Sequence, residues 1–593
     1  MPMSDEMTWN AGAPAVATVA PAPVARVAGT GADTIAAALV AHGVDRAYVF
    51  PGGTIAPVID ACGRHGVQVL CARHEQGAGY AALAAARVTG RPQVVLVSSG
   101  PGVTNVVTPV ADAYFDSAPL VVLTGQVGTG DMRGERPVRQ RGFQEVDTVA
   151  LMRPVVKAAL QPTSVEALGA VMRDAFRIAS EGRPGPVLVD LPMNVQRAPA
   201  TGLVGVAAGR RRAVKRPDPG RIRAAADLLA QAERPVILAG QGVLLAGAQA
   251  ELRALVARNG GIPIAASLLG LGAVPTDGPL ALGYVGHTGS RYANRAVHES
   301  DCLLVVGARL DVRQTGTQTE QFVPHGRVIR VDVDPVELAH ARVRVDLDVL
   351  ADARLALAAL DRALDGRALP SWEPWRAQTT AWRAQLPLAW DRSSPRLKPQ
   401  HVIEAASRLT AGEGVVAVTG VGSHQQWVAR HFDLDFPRRQ LLTSGGHGAM
   451  GFDLPSAIGA QLVRPSDRVL CFVGDGSLQI NIQELQTAVD WRTPVAIVVL
   501  DNHRLGIVSQ FQQLNWQSDP TTGRKANPDF AAVARAYGIP AFTIATPADV
   551  EPTLARALAT EGPVLVHCVV DEEEDVVPML LAGQTMDRMW PDA

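Results

Sequence analysis

Three doubly wound, parallel-sheet α/β domains are what this sequence predicts, and three observations predict them. At 593 residues the chain exceeds what one hydrophobic core organises, and roughly three domains of about 150–200 residues are expected. Short apolar runs that stop at Gly- or Pro-rich turns alternate with stretches of helical periodicity, the pattern of a parallel sheet covered on both faces. Two stretches of a different composition, 201–216 and 366–398, divide that alternation into three parts.

Residues 1–28 are Ala/Pro/Val-rich without periodicity and read as a disordered tail. The first domain spans 29–200, with a helix over 34–42, strands over 46–50, 67–71, 94–98, 120–124 and 186–192, and a helix over 78–87. Residues 201–216, TGLVGVAAGRRRAVKR, read as a basic linker. The central domain spans 217–365, with strands over 235–238, 302–306 and 328–333, and Gly240-Gln241-Gly242 after the first of them is weak evidence for a dinucleotide. A connector rich in Pro, Arg and Trp covers 366–398, and the third domain covers 399–583, ending in an arm at 578–583.

Composition narrows the function classes. Apolar content of 47% with 19% charged residues is globular, and a formal charge of −2 gives no electrostatic case for nucleic acid. No apolar run approaches the 18 or so residues of a membrane span, and Asp5 and Glu6 stand where a secretory signal carries positive charge. The five cysteines are scattered without metal-ligand spacing, so they read as structural thiols of a reducing compartment, and a cytoplasmic location is expected.

Chemistry concentrates in 468–512. Its apolar runs at 469–473 and 495–500 read as buried strands joined by a helix over 478–491. A right-handed crossover makes them parallel, so Asp475 and Asn502, 27 positions apart, emerge at the same carboxyl edge, where open α/β sheets bind ligands. One carboxylate, one amide oxygen, a nearby carbonyl and a diphosphate satisfy the octahedral oxygen shell of Mg2+. The Gly474-Asp475-Gly476-Ser477 turn opens a helix, and its N–H groups favour an anion. Far upstream, Glu75 in Arg73-His74-Glu75-Gln76-Gly77-Ala78 opens an apolar helix. Such a carboxylate is either an ordinary first-turn acid favoured by the helix dipole or a carboxyl kept in an apolar pocket to share a proton with a heterocycle.

The Gly-Asp-Gly-Ser turn followed by Asn502 resembles the signature of thiamin-diphosphate enzymes, which commonly carry Asn-Asn where this chain has Asp501-Asn502. That resemblance implies thiamin diphosphate and Mg2+, with Asp475, Asn502 and the carbonyl of Arg504 as metal ligands, and Glu75 bonded to N1′ of the aminopyrimidine. Within the superfamily the chain resembles acetohydroxyacid (acetolactate) synthase over about residues 30–583. The stretches that carry this are Phe50-Pro51-Gly52-Gly53, Arg73 to Gly79, Ser99-Gly100-Pro101-Gly102 with Thr104-Asn105, Ala111-Asp112-Ala113-Tyr114 and Gly125-Gln126. Phe143-Gln144-Glu145-Val146-Asp147, Arg153-Pro154, Lys157 and Gly182-Arg183-Pro184-Gly185-Pro186-Val187 continue it.

The resemblance implies pyrimidine-binding, central Rossmann-like and diphosphate-binding domains. It places Gly53 beside the thiazolium, Phe143, Gln144 and Lys157 toward the acceptor, and Met450 under the bent cofactor. Gly422, His424, Gly448, Gly474, Gly476 and Ser477 go to the diphosphate side. In the central domain, Gly307-Ala308-Arg309-Leu310-Asp311-Val312-Arg313 and Val331-Asp332-Val333-Asp334-Pro335 match a structural FAD site, completed by Arg153 and Gly289. The sequence departs from the family at Leu310 and Val312, at Phe511 where biosynthetic members carry Trp, at His287 for an apolar Met and at Leu581 for a Pro. His287 and Phe511 thereby become candidate acceptor-specificity residues.

The implied activity is decarboxylation of pyruvate and transfer of the two-carbon unit to a second 2-keto acid, giving 2-acetolactate, in a homodimer or homotetramer whose site is completed by a second chain. Whether a regulatory subunit binds is open. A carboligase with another acceptor such as a keto sugar, a cyclic-dione hydrolase, a flavin-dependent pyruvate oxidase and a non-catalytic thiamin-binding protein are the rival readings.

Overall fold

The structure, a computed structural model, describes residues 25–204, 214–258, 261–518 and 526–591. Among the described residues there are twenty strands, numbered in chain order. β1 (Ala25–Thr30) pairs antiparallel with β8 (Pro199–Val204). The first six-stranded sheet holds β2 (Arg46–Val49), β3 (Gln68–Cys71), β4 (Gln93–Val97), β5 (Leu120–Gln126), β6 (Ala158–Leu160) and β7 (Val187–Pro192), in the order β3-β2-β4-β5-β7-β6. The central sheet holds β9 (Pro235–Ala239), β10 (Ile264–Ala266), β11 (Ala281–Tyr284), β12 (Cys302–Val306), β13 (Arg327–Asp332) and β14 (Leu347–Leu350), in the order β11-β10-β9-β12-β13-β14. The third holds β15 (Val415–Thr419), β16 (Arg439–Thr443), β17 (Arg468–Gly474), β18 (Val495–Asp501), β19 (Ala541–Ile544) and β20 (Val564–Val569), in the order β16-β15-β17-β18-β20-β19.

All pairings inside the three sheets are parallel. Helices cover both faces, so strands such as β5, β9 and β18 are buried end to end and consist of apolar runs rather than alternating patterns. The first and third sheets share one topology, while the central sheet has the order typical of dinucleotide-binding folds. In each sheet the strand order reverses near the middle, between β2 and β4, between β9 and β12, and between β15 and β17, and the first and third sheets turn back again at one edge, at β7–β6 and β20–β19. A crevice opens at the carboxyl ends of the strands flanking such a reversal. Those strand ends carry Gly52-Gly53 and Ser98-Ser99, then Gly240-Gln241-Gly242 and Gly307, and then Gly420 to His424 and Gly474 to Ser477.

The first and third domains pack through two helices, Glu75–Thr89 and Asp453–Val463, whose apolar residues share one core. Their backbones nearly touch: a Cβ on Gly459 would fall 2.1 Å from the carbonyl oxygen of Ala81. Tyr80 and Phe452 meet edge to face at 5.4 Å beside this contact.

Several expectations are corrected. The expected tail ends in β1, so 25–28 belong to a strand, and 201–204 of the expected linker are its partner β8; residues 1–24 and 205–213 lie outside the described residues. The expected connector 366–398 contains a helix, Glu373–Gln385, pinned to the central domain by buried tryptophans. Trp372 and Trp375 donate their indole N–H to Ala232 O (2.9 Å) and Pro235 O (3.0 Å). The helix expected over 78–87 runs over Glu75–Thr89, so Glu75 is its first residue. The helix expected over 478–491 is two, Asp475–Ile480 and Glu484–Asp490. Asn481 breaks it, turning its amide onto the carbonyl of Gly451 at 2.7 Å.

Candidate functional site

At the reversal of the third sheet, two helices begin at the ends of neighbouring strands. Gly422 caps Ser423–His431 and Gly474 caps Asp475–Ile480, and neither cap supplies a side-chain acceptor to the first-turn N–H groups. Two such N-termini side by side suit an anion. His424 lies between them: a Cβ on Gly422 would approach its Nδ1 to 3.0 Å and one on Gly474 to 3.1 Å. Its Nε2 is 2.9 Å from Asp453 Oδ1. The Asp453 carboxylate also accepts from Gly420 N and from Ser477 Oγ, and Ser477 Oγ accepts from Gly451 N at 2.8 Å. One buried carboxylate thus ties together the loops after β15, β16 and β17. Losing one charge-assisted hydrogen bond of this kind costs about 1.5–3 kcal/mol, roughly 10- to 100-fold in an equilibrium. Asp453→Ala is expected to weaken binding of a diphosphate ligand by at least about tenfold, read by calorimetric titration.

The expected metal ligands are brought to the same place. Asp475 opens its helix, and Asn502 follows β18 in a tight turn where His503 has φ +55° and Arg504 N donates to Asn502 Oδ1 at 3.3 Å. A Cβ on Gly506 would meet both Asn502 Nδ2 (2.7 Å) and Ser423 Oγ (2.8 Å). One on Gly476 would meet Leu505 Cδ2 (2.6 Å) and Met450 Cε (3.4 Å). The turns at 422–424, 450–451, 474–477 and 502–506 therefore surround one point. Asn527 donates to Asp475 Oδ2 at 2.6 Å and to Asp501 Oδ1 at 2.7 Å, and Asp501 Oδ2 is 2.9 Å from His567 Nε2. Burial pushes the Asp475 carboxyl up to about 6; the Asn527 bond opposes this and the Asp501 charge adds to it.

In the first domain Glu75 is only 5% exposed, and Asn105 Nδ2 donates to its Oε2 at 2.9 Å. His74 caps the helix, accepting from Gln76 N at 3.1 Å. Gly52 must lack a side chain, since a Cβ would fall 2.4 Å from Ser98 Cβ. A Cβ on Gly53 would meet nothing within 4 Å among the described residues. Gln144 has φ +61° and packs on Gly100, while its neighbour Phe143 is 84% exposed. Phe511 is 46% exposed and meets Trp516 edge to face. Lys157 turns elsewhere, its ammonium donating to Ile178 O and Glu181 O, both at 2.6 Å.

At the central reversal lies a cavity of about 360 Å3. Gly242, Gly307, Arg309, Asp311, Arg313, Asp332 and His287 line it, along with Gly448 from the third domain. Backbones approach closely here: a Cβ on Gly242 would fall 2.7 Å from Gly307 Cα. Asp332 ends β13 as a partly buried carboxylate, its pKa raised chiefly by that burial. Asp311 caps the short helix Val312–Thr315 and pairs with Arg309 at 3.1 Å, leaving Val312 exposed. His287 is pinned on both sides, its N–H donating to Arg313 O (2.6 Å) and its carbonyl accepting from Leu580 N (2.7 Å) in the C-terminal arm. Burial, with Arg313 and Arg430 nearby, pushes its imidazole down to about 4, and its Nδ1 has no partner among the described residues. Arg153 and Gly289 are not among the lining residues. Gly289 instead sits in a backbone turn, where a Cβ would fall 2.5 Å from Tyr284 O.

Sequence reasoning missed Asn105, Asp453, Asn527 and Glu484. Asn105 stood in a quoted motif and could have been paired with Glu75. No local pattern singles out the others.

Comparison with known proteins agrees with this geometry. Residues 29–151, 222–360 and 420–568 match the N-terminal TPP binding domain, the central domain and the C-terminal TPP binding domain of thiamine pyrophosphate enzymes. The chain is 37% identical over 575 residues to the acetolactate synthase isozyme 3 large subunit of Escherichia coli, covering 95% of this chain and 98% of that one. It is 39% identical over 568 residues to the isozyme 2 large subunit of the same organism, covering 94% and 99%. To the chloroplastic acetolactate synthase 1 of Zea mays it is 35% identical over 581 residues, covering 95% and 89%. The chain belongs to the acetolactate synthase large-subunit family, assembled from the three domains of thiamine pyrophosphate enzymes.

Proposed function

We propose that this protein converts two molecules of a 2-keto acid, pyruvate by default, into 2-acetolactate and CO2. The observation that carries the reading is the convergence of Asp475, Asn502 and His424 with two uncapped helix N-termini at one sheet reversal, alongside a buried Glu75 in a domain of the same topology. When bound, thiamin diphosphate supplies the electron sink for breaking and making the C–C bonds.

The residues present fit that cofactor. His424 and the N–H groups after Gly422 and Gly474 would hold the diphosphate, and Asp475, Asn502 and the Arg504 carbonyl would hold Mg2+. Met450, against Gly476, would present an apolar surface to the cofactor. Glu75 would hold the proton at N1′ of the aminopyrimidine, sheltered from water. Asn105 fixes the Glu75 carboxylate for that task.

The central cavity supports FAD as a further ligand. Its glycine pair lies at the reversal of a dinucleotide-type sheet, its strand-end carboxylate Asp332 suits a ribose hydroxyl, and the Nδ1 of His287 lacks a partner among the described residues. The purified protein is expected to show flavin absorbance, and Asp332→Ala is expected to lose it; a colourless wild-type protein overturns the flavin assignment.

The open space at Gly53 and the exposed Phe143 and Phe511 support completion of the site by a second copy, as a homodimer or homotetramer. Relatives named as large subunits support a regulatory partner. Among the described residues no helix is long and apolar enough to cross a membrane, and a cytoplasmic location is part of the proposal. Domain extents of about 25–204, 217–385 and 399–583 accompany it, the β1–β8 pair and the helix Glu373–Gln385 being added to the expected bounds. Steady-state assay with pyruvate, thiamin diphosphate and Mg2+ tests the function; no release of CO2 would end it.

A further inference from the structure

The third domain grips the start of the helix that carries Glu75. Glu484 opens the helix Glu484–Asp490 and is 0% exposed. A buried carboxylate needs hydrogen bonds, and its donors are few. Arg73 N donates to both of its oxygens, at 3.2 and 3.3 Å, and Thr487 Oγ1 donates to Oε2 at 2.5 Å. Arg73 lies two residues before Glu75, on the strand-to-helix turn that sets where the helix begins.

The contact also shapes the helix itself. A Cβ on Gly77 would fall 2.3 Å from the Glu484 carboxyl carbon, so the first turn accepts only glycine at 77 while Glu484 occupies that space. The same segment, 481–490, holds two further points of the turn: Asp490 pairs with the Arg73 guanidinium, and Asn481 Nδ2 reaches Gln76 Oε1 at 3.5 Å. Behind it, the tight Ala81–Gly459 crossing leaves little room for adjustment. A proton-sharing carboxylate must be placed to within a fraction of an ångström, and a misplacement of about 1 Å costs up to roughly 100-fold.

We propose that Glu484 is a positioning residue, whose carboxylate fixes the 73–77 turn and thereby sets the reach of Glu75 toward the cofactor. The inference rests on the reading of Glu75 above. It separates reach from charge. Glu484→Gln keeps an acceptor at the same distance from Arg73 N but removes the charge. Glu484→Asp keeps the charge but withdraws it by one methylene. Gly77→Ala displaces the turn from the other side.

The experiment measures kcat with pyruvate, hydrogen–deuterium exchange at C2 of bound thiamin diphosphate, and cofactor affinity in the holoenzyme. Glu484→Gln is expected to stay within about threefold of wild type. Glu484→Asp and Gly77→Ala are expected to lose roughly 10- to 100-fold in both kcat and C2 exchange, with cofactor affinity changed less than about threefold. Glu484→Asp equal to or faster than Glu484→Gln overturns the proposal, as does an unchanged rate in Gly77→Ala. Glu75→Gln is run alongside: wild-type turnover in that variant removes the reading of Glu75, whereas its inactivity beside an active Glu484→Asp removes only the role of Glu484.

Discussion

Glu75→Gln is expected to lose about two to four powers of ten in turnover while keeping its fold and its cofactor. Gln matches the size of Glu, and its amide oxygen can still accept the Asn105 hydrogen bond that the Oε2 atom receives now. What it cannot do is take up and release a proton, which is the task assigned to this nearly buried carboxyl. The helix start is held independently, by the His74 cap and by Glu484, so thermal stability is expected to change little. Turnover with pyruvate, a melting curve and a cofactor titration separate these effects. Wild-type turnover in this variant would remove Glu75 from the reaction.

Asp475→Ala is expected to have the other large effect, by a different route. It removes the one carboxylate of the proposed metal shell and releases Asn527 from one of its two carboxylate acceptors. Mg2+ keeps its place through few protein oxygens, so the loss of one is expected to abolish saturable binding of Mg2+ and thiamin diphosphate in calorimetry, and with it turnover. In the wild-type protein the same carboxyl must be ionised to bind metal. Its pKa, pushed up to about 6 by burial, gives the sign: Mg2+ affinity rises as pH climbs through 6 and levels off above it. Titrations at pH 5 and pH 7.5 are expected to differ by roughly tenfold in affinity. For the metal-free protein the linkage runs the other way. A carboxyl whose pKa is higher in the folded state stabilises the fold below the unfolded value of 3.8 and loses that contribution as pH rises through about 6.

The parts of this site written in contiguous residues could be read directly. β17, the Gly-Asp-Gly-Ser turn and β18 form one unit whose apolar runs and turn residues have no other use, and the structure places their ends at one edge. The central sheet was only half visible, because β10, β11 and β14 are three or four residues long and carry too little periodicity to stand out. Asp453 escaped notice for another reason. As the first residue of an otherwise ordinary helix it looks like a first-turn acid, and only the fold brings Gly420, His424 and Ser477 to it. Glu484 lies inside the helix expected over 478–491 with nothing local to single it out, and its partner Arg73 is 411 residues away. The tryptophans at 372, 375 and 382 misled in the opposite direction, since a Pro/Arg/Trp-rich composition suggests a connector until the indoles are seen buried against the central domain.

The identity of the reaction is read from its products. The protein is incubated with isotopically labelled pyruvate, thiamin diphosphate and Mg2+, with and without a quinone, and the products are resolved by mass spectrometry. The expected products are 2-acetolactate and CO2 in equal amounts, two pyruvates consumed for each, unaffected by the quinone. Acetate formed in place of 2-acetolactate, or acetate whose yield follows the quinone, would contradict it.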